Sequence, residues 1–241
     1  VFCHKRGLFE KRGGFDPLLR RMVDWDLILG YTKDEEVIYC PFIGCLYSDS
    51  RIDMDRISTS QPYLFNKIVF QKNSEPHKTV VEILETLILS VAIKTDAAEG
   101  SPEESLVTSL KSALVECGHQ VRIDWVEQWY SHHPHQDDLI LVLCDSGAYL
   151  PHPEQINLIW ARGSDTSKAM NTNAYFQGAF EYASSTETPL QLQKKSGSLV
   201  KPELITPGKV TALNICDWTK AYLGAHPSEL QGNRSIGTAC L

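Results

Sequence analysis

The chain has 241 residues, is 42% hydrophobic and carries a formal charge of -7 with a pI near 5.6, enough apolar sequence for a buried core in one or two domains. This acidic balance offers no basic face for phosphates, so no nucleic-acid partner is expected. No apolar run approaches the ~20 residues that span a bilayer, which excludes a transmembrane helix while remaining compatible with peripheral membrane association.

The opening Val-Phe-Cys-His-Lys-Arg is neither a signal peptide nor an initiator methionine and reads as a cut. Seven cysteines (Cys3, Cys40, Cys45, Cys117, Cys144, Cys216, Cys240) form no C-x-x-C pair, which predicts reduced thiols and a cytoplasmic setting. Cys40 and Cys45 lack a second pair to complete a zinc site.

The densest chemistry lies in Gly13-Gly14-Phe15-Asp16-Pro17, followed by Val23-Asp24-Trp25-Asp26-Leu27. Two glycines allow positive φ or a close approach to a ligand. Asp24 is expected to be the N-cap of a helix, with its carboxylate held ionised by backbone N–H groups and the helix dipole, as suits a general base. Leu27, Ile28 and Tyr31 continue at helical spacing until the charged loop at 32–36. Val37 to Cys40 reads as a short strand, Asp53 and Asp55 as loop acids rather than metal ligands, and Leu64 to Gln71 as an amphipathic helix.

Lys72 to Lys78 is polar and contains Pro76, the composition of a linker, and divides the chain into segments 1–74 and 75–241. Beyond it, Thr86 to Lys94 is a β-prone run of the kind buried on both faces of a parallel sheet. Ser101-Pro102-Glu103-Glu104 then combines an N-cap serine, a first-turn proline and a glutamate three residues after the cap. The spacing predicts a helix over Pro102–Cys117 with Leu106, Leu110, Leu114 and Val115 on its apolar stripe. Strands follow at 121–126, 138–144 and 156–160, giving a Rossmann-like, open, mainly parallel sheet with a right-handed first crossover.

No G-x-G-x-x-G follows any strand, so a dinucleotide site has no support. His132, His133 and His135 with Asp137 and Asp138 read as a polar loop. Asp145, at the carboxyl end of a strand, is a candidate ligand contact. Lys194, Lys195 and Lys201 read as a solvated loop, and the tail from Gly232 as frayed.

The run from Val1 to about Gln71, through the Gly-Gly-Phe-Asp turn and Asp24-Trp25-Asp26, resembles the acceptor-side end of glycosyltransferase family 2 catalytic domains. The resemblance implies Asp24 as the base that takes the proton of an acceptor hydroxyl, with Gly13, Gly14, Trp25 and Asp26 contacting substrate. Val23 stands where the family often has glutamate. It also implies a divalent Mg or Mn whose ligands precede the turn and so are not in this chain. The stretch 86–165, with Cys117-Gly118-His119 and Pro151 to Trp160, resembles the N-terminal domain of GT-B transferases of bacterial polysaccharide clusters.

Together these resemblances imply an α/β chain in which a partial GT-A-type segment precedes a Rossmann-like partial GT-B-type domain. Its partners would be a nucleotide diphosphate sugar and a saccharide acceptor, in surface-polysaccharide biosynthesis. A chain opening after the donor-binding strands is expected to be a fragment that transfers no sugar alone. The alternative is a non-catalytic remnant acting as a binding or scaffolding module.

Overall fold

The computed structural model describes residues 3–39, 41, 61–74, 78–143, 149–162, 176–182, 192–194 and 209–224. The fold is α/β, and the described residues include six strands in one open sheet ordered β2-β1-β3-β4-β5-β6. The strands are β1 Ser90–Thr95, β2 Gln120–Trp125, β3 Leu139–Leu143, β4 Ile156–Arg162, β5 Phe176–Tyr182 and β6 Leu192–Lys194. The first five run parallel and β6 pairs antiparallel with β5.

Alternation across the pleat explains the near-continuous apolar strands. Val91, Ile93, Leu139, Leu141, Ile156 and Leu158 join the larger core on one face, while Ala92, Ile140, Val142 and Ile159 meet Trp129 and Tyr149 on the other. Because both faces are covered, β1 and β3 carry apolar residues at successive positions.

The helices are α1 Arg6–Lys11, α2 Val23–Thr32, α3 Leu64–Ser74, α4 Val80–Glu85, α5 Pro102–Glu116 and α6 Lys209–Gly224. Helix α5 begins as the sequence signals: the Ser101 hydroxyl accepts the Glu104 N–H at 3.2 Å and Pro102 opens the first turn. Val107, Leu110, Ala113 and Leu114 are its buried face, whereas Val115 is 49% exposed and lies off the expected stripe.

Three local expectations are corrected. The strand expected from Thr86 starts at Ser90: a helix over Val80–Glu85, opened by a Thr79–Glu82 capping box, has its C-cap at Thr86, and the chain passes through 87–89 before joining the sheet. Val37 to Tyr39 is not a strand; these residues are 63–84% exposed, and an apolar run without a neighbour to complete its ladder gains nothing from extending. Helix α3 continues past Gln71 to Ser74, into the expected linker.

The larger core crosses the 74/75 division. Leu19, Leu64, Phe65, Ile68 and Val69 pack in one cluster with β1, β3, β4, α4, α5 and α6. Arg20 reinforces this junction, lying 5.0 Å from the Phe65 ring and 4.5 Å from the Tyr222 ring while donating to the Tyr222 carbonyl at 3.0 Å. Among the described residues, no helix is long and apolar enough to cross a membrane.

Candidate functional site

The N-terminal element is built by its glycines. Gly13 and Gly14 have φ of 79° and 77°, a region in which only glycine is free of Cβ strain. A Cβ on Gly14 would also lie 2.9 Å from the Phe9 ring. The turn aims the chain back toward α2, and the Asp16 carboxylate accepts the Leu18 N–H at 3.0 Å to close the next bend.

Helix α2 starts differently from the expectation. Its N-cap is Met22, in the left-handed region at φ 62° and without a side-chain cap, so Asp24 is the second helical residue. The Asp24 carboxylate accepts the Trp25 N–H at 2.9 Å. It retains the favourable position near the positive end of the dipole, but it is exposed.

Three carboxylates in this element divide into two roles. Lys72, on α3, donates to Asp16 and to Asp26, at 2.8 Å each. Asn73 donates to the other Asp26 oxygen at 2.9 Å, so both acids are consumed in fastening α2 and the turn to α3. Burial alone would lower the Lys72 pKa, but the bonds from Asp16 and Asp26 outweigh it and hold the ammonium above its ordinary value. Asp24 and Asp26 are two residues apart, roughly 200° around a helix, so Asp24 points away from α3. Among the described residues no cation lies within ion-pair distance of it. Trp25, 49% exposed, and Phe15, 55% exposed, present aromatic surface on the same element.

The sheet holds a second charged cluster that the sequence reading missed. Lys94 on β1 is 3% exposed and donates to Asp124 at 2.5 Å and to the Trp129 carbonyl at 2.7 Å. Arg122 pairs with Asp124 at 2.6 Å and with Asp137 at 2.8 Å. Desolvation pushes the Asp124 carboxyl up, yet its bonds from Arg122 and Lys94 win and hold it below the ordinary aspartate value. At Asp137 desolvation wins over Arg122, and the carboxyl lies above that value. The signal was present: Lys94 is a lone charge in the apolar β1, and Asp124 on β2 faces it in register.

The histidine loop lies before β3. His135 stacks on Tyr63 at 3.9 Å and bonds to Glu154 at 2.7 Å, and Arg21 approaches the same carboxylate at 3.5 Å. These side chains tie the segments before α2 and α3 to the loops before β3 and β4; among the described residues no group of three or more His, Cys, Asp or Glu is arranged to hold a metal. His119 is buried, accepts the Leu89 N–H at 3.2 Å through Nδ1, and contacts Cys216 Sγ at 2.9 Å. Burial pushes the Cys216 thiol up to about 12, so this pair is a neutral packing contact and not an activated nucleophile.

Strand order reverses between β1 and β3, the switch point where open α/β sheets take ligands beyond the carboxyl ends of their strands. Asp145, the ligand contact expected from the sequence, lies outside the described residues, as do Cys40, Cys45, Asp53, Asp55, Lys195 and Lys201.

No protein-family model matches the chain, and no curated protein matches it. Among solved structures it is similar to the heterocyclase TruD, at 20% identity and a TM-score of 0.24, over 72% of this chain and 23% of that one. The chain therefore spans about a quarter of that structure's length. These findings overturn the resemblance to family 2 and GT-B glycosyltransferases: neither a family model nor a curated protein supports it. The physical reason is that the quoted motifs have local explanations. Gly13 and Gly14 make a left-handed turn, Asp16 and Asp26 are ion-pair partners of Lys72, and the strand pattern is common to open α/β sheets.

Proposed function

We propose that the Gly13–Asp26 element presents Asp24 as a general base to an acceptor hydroxyl, in transfer of a sugar from a nucleotide diphosphate donor. One observation carries this reading: of the element's three carboxylates, only Asp24 is left unclaimed by Lys72 and faces solvent. A base must be reachable by the proton it removes, and Asp24 faces solvent beside the exposed ring of Trp25. In the reaction the hydroxyl proton passes to Asp24 as the oxygen bonds to the anomeric carbon. The bond from that carbon to the diphosphate breaks, and the diphosphate leaves with the electron pair. The donor half is supported more generally by the β1/β3 switch point, a place where such sheets bind phosphate-bearing ligands. The described residues do not fit a divalent ion, so no step is routed through one.

The test is transfer by the natural full-length protein with a panel of nucleotide diphosphate sugars and monosaccharide acceptors. Asp24→Asn should lower turnover by ~10²-fold or more, as expected for loss of a general base. Turnover within a few fold of wild type would remove the reading. The other reading, a non-catalytic binding or scaffolding module, is favoured by the sheet's continuous core, which needs nothing from Asp24. Calorimetric titration with the same sugars that shows binding without turnover would select it.

A further inference from the structure

We propose that Lys72 is a positioning residue for Asp24, an inference that rests on the base reading above. Lys72 is separated by 56 residues from Asp16 and by 46 from Asp26, yet its ammonium reaches both at 2.8 Å. These two acids bracket Asp24: one closes the bend after the glycine turn, and the other is in the first turn of α2.

Every carboxylate oxygen of the two brackets is claimed. On Asp16 one oxygen takes the Leu18 N–H and the other Lys72; on Asp26 one takes Asn73 and the other Lys72. Asn73 is itself anchored, donating to the Val69 carbonyl at 2.9 Å one turn back along α3. The clamp is needed because α2 has a weak start of its own. Met22 in the left-handed region supplies no side-chain cap, and of the helix's residues only Leu27 and Tyr31 are buried. Without Lys72 the first turn, and with it the Asp24 carboxylate, would be free to fray. Because Asp26 lies on the opposite side of the helix from Asp24, the clamp holds the base from behind and leaves its own face open. A lysine serves here where a neutral donor would not, since one ammonium with three donors satisfies two carboxylates and also balances part of their charge.

The test compares Lys72→Met, Lys72→Arg and Asp24→Asn. In the 241-residue chain, Lys72→Met should speed amide exchange at residues 23–27 by about tenfold or more and leave β1 and β3 protected. In the natural full-length protein, with the same sugar and acceptor panel, it should lower kcat by about tenfold at an unchanged donor KM. Lys72→Arg should restore both to within about threefold, since arginine keeps the charge and two-acceptor reach. A Lys72→Met protein that turns over within twofold of wild type, while Asp24→Asn does not, would overturn the positioning role and leave the base reading standing. Full turnover in Asp24→Asn would sink both. If Lys72→Met does not fold, Asn73→Ala removes one bracket bond alone; it should produce the same pattern at a few fold, and wild-type exchange at 23–27 in that variant would overturn the inference.

Discussion

Among the described residues two charged clusters are centred on Lys94 and Lys72, and they behave differently because of where they sit. Lys94, 3% exposed on β1, ties the Asp124 carboxylate of β2 to the crossover that carries Trp129. Lys72, with 23% of its side chain exposed, fastens the N-terminal turn to α3. In the first, desolvation makes each unpaired charge expensive, so the members cannot be removed singly. In the second, water can replace a lost partner at modest cost, so the cluster fixes direction more than stability. The comparison separates a region whose charges hold the fold together from one whose charges aim a side chain.

The largest effect should come from the buried cluster. Asp124→Ala strands Lys94 in the interior and should cost about 3–5 kcal/mol in urea unfolding; a cost below about 1 kcal/mol would erase the contrast. Acid sharpens it. Asp124, held below the ordinary aspartate value of 3.8, contributes stability that is whole above that pH and fades as pH falls below it. Asp137 has the opposite sign: its raised carboxyl favours the folded chain as pH falls toward 3.8. Unfolding free energy against pH should therefore lose its slope above 3.8 in Asp137→Asn and below 3.8 in Asp124→Asn.

Next, Leu141→Ala on the fully buried β3 should cost about 2–5 kcal/mol, and amides of Leu139–Leu143 should exchange only through global unfolding. Absence of protection there would show that the sheet is not the stable region.

In the N-terminal element the costs should be smaller. Gly14→Ala meets both a positive φ and the Phe9 ring and should destabilise by about 1–2 kcal/mol, read as a shift of the urea midpoint. The smallest stability effect is expected for Asp24→Asn, below about 1 kcal/mol, because its exposed carboxylate holds only the neighbouring N–H. A larger loss would make Asp24 a structural residue and blur the distinction between the clusters.

Legibility in the sequence followed the same divide. Helix α5 was readable to within one residue because its cap, proline and apolar spacing are local, and β3 and β4 because their runs of apolar residues need only burial on two faces. The Gly13-Gly14 turn was readable because positive φ selects glycine. Local pattern failed where a distant partner decides. Val37 to Tyr39 has strand composition but no described ladder.

What the amino-acid order determined by itself is thus the class of fold and the short-range chemistry of its caps and turns, since those depend on residues a few positions apart. The tertiary structure alone decided which acids are free. Asp16, Asp24 and Asp26 look alike in sequence, and only the arrival of Lys72 and Asn73 from α3 claims two of them and leaves the third facing solvent. Likewise Lys94 and Asp124 become partners only when β1 and β2 pair in register. Such pairings span 30 residues or more of chain, beyond the reach of any local periodicity.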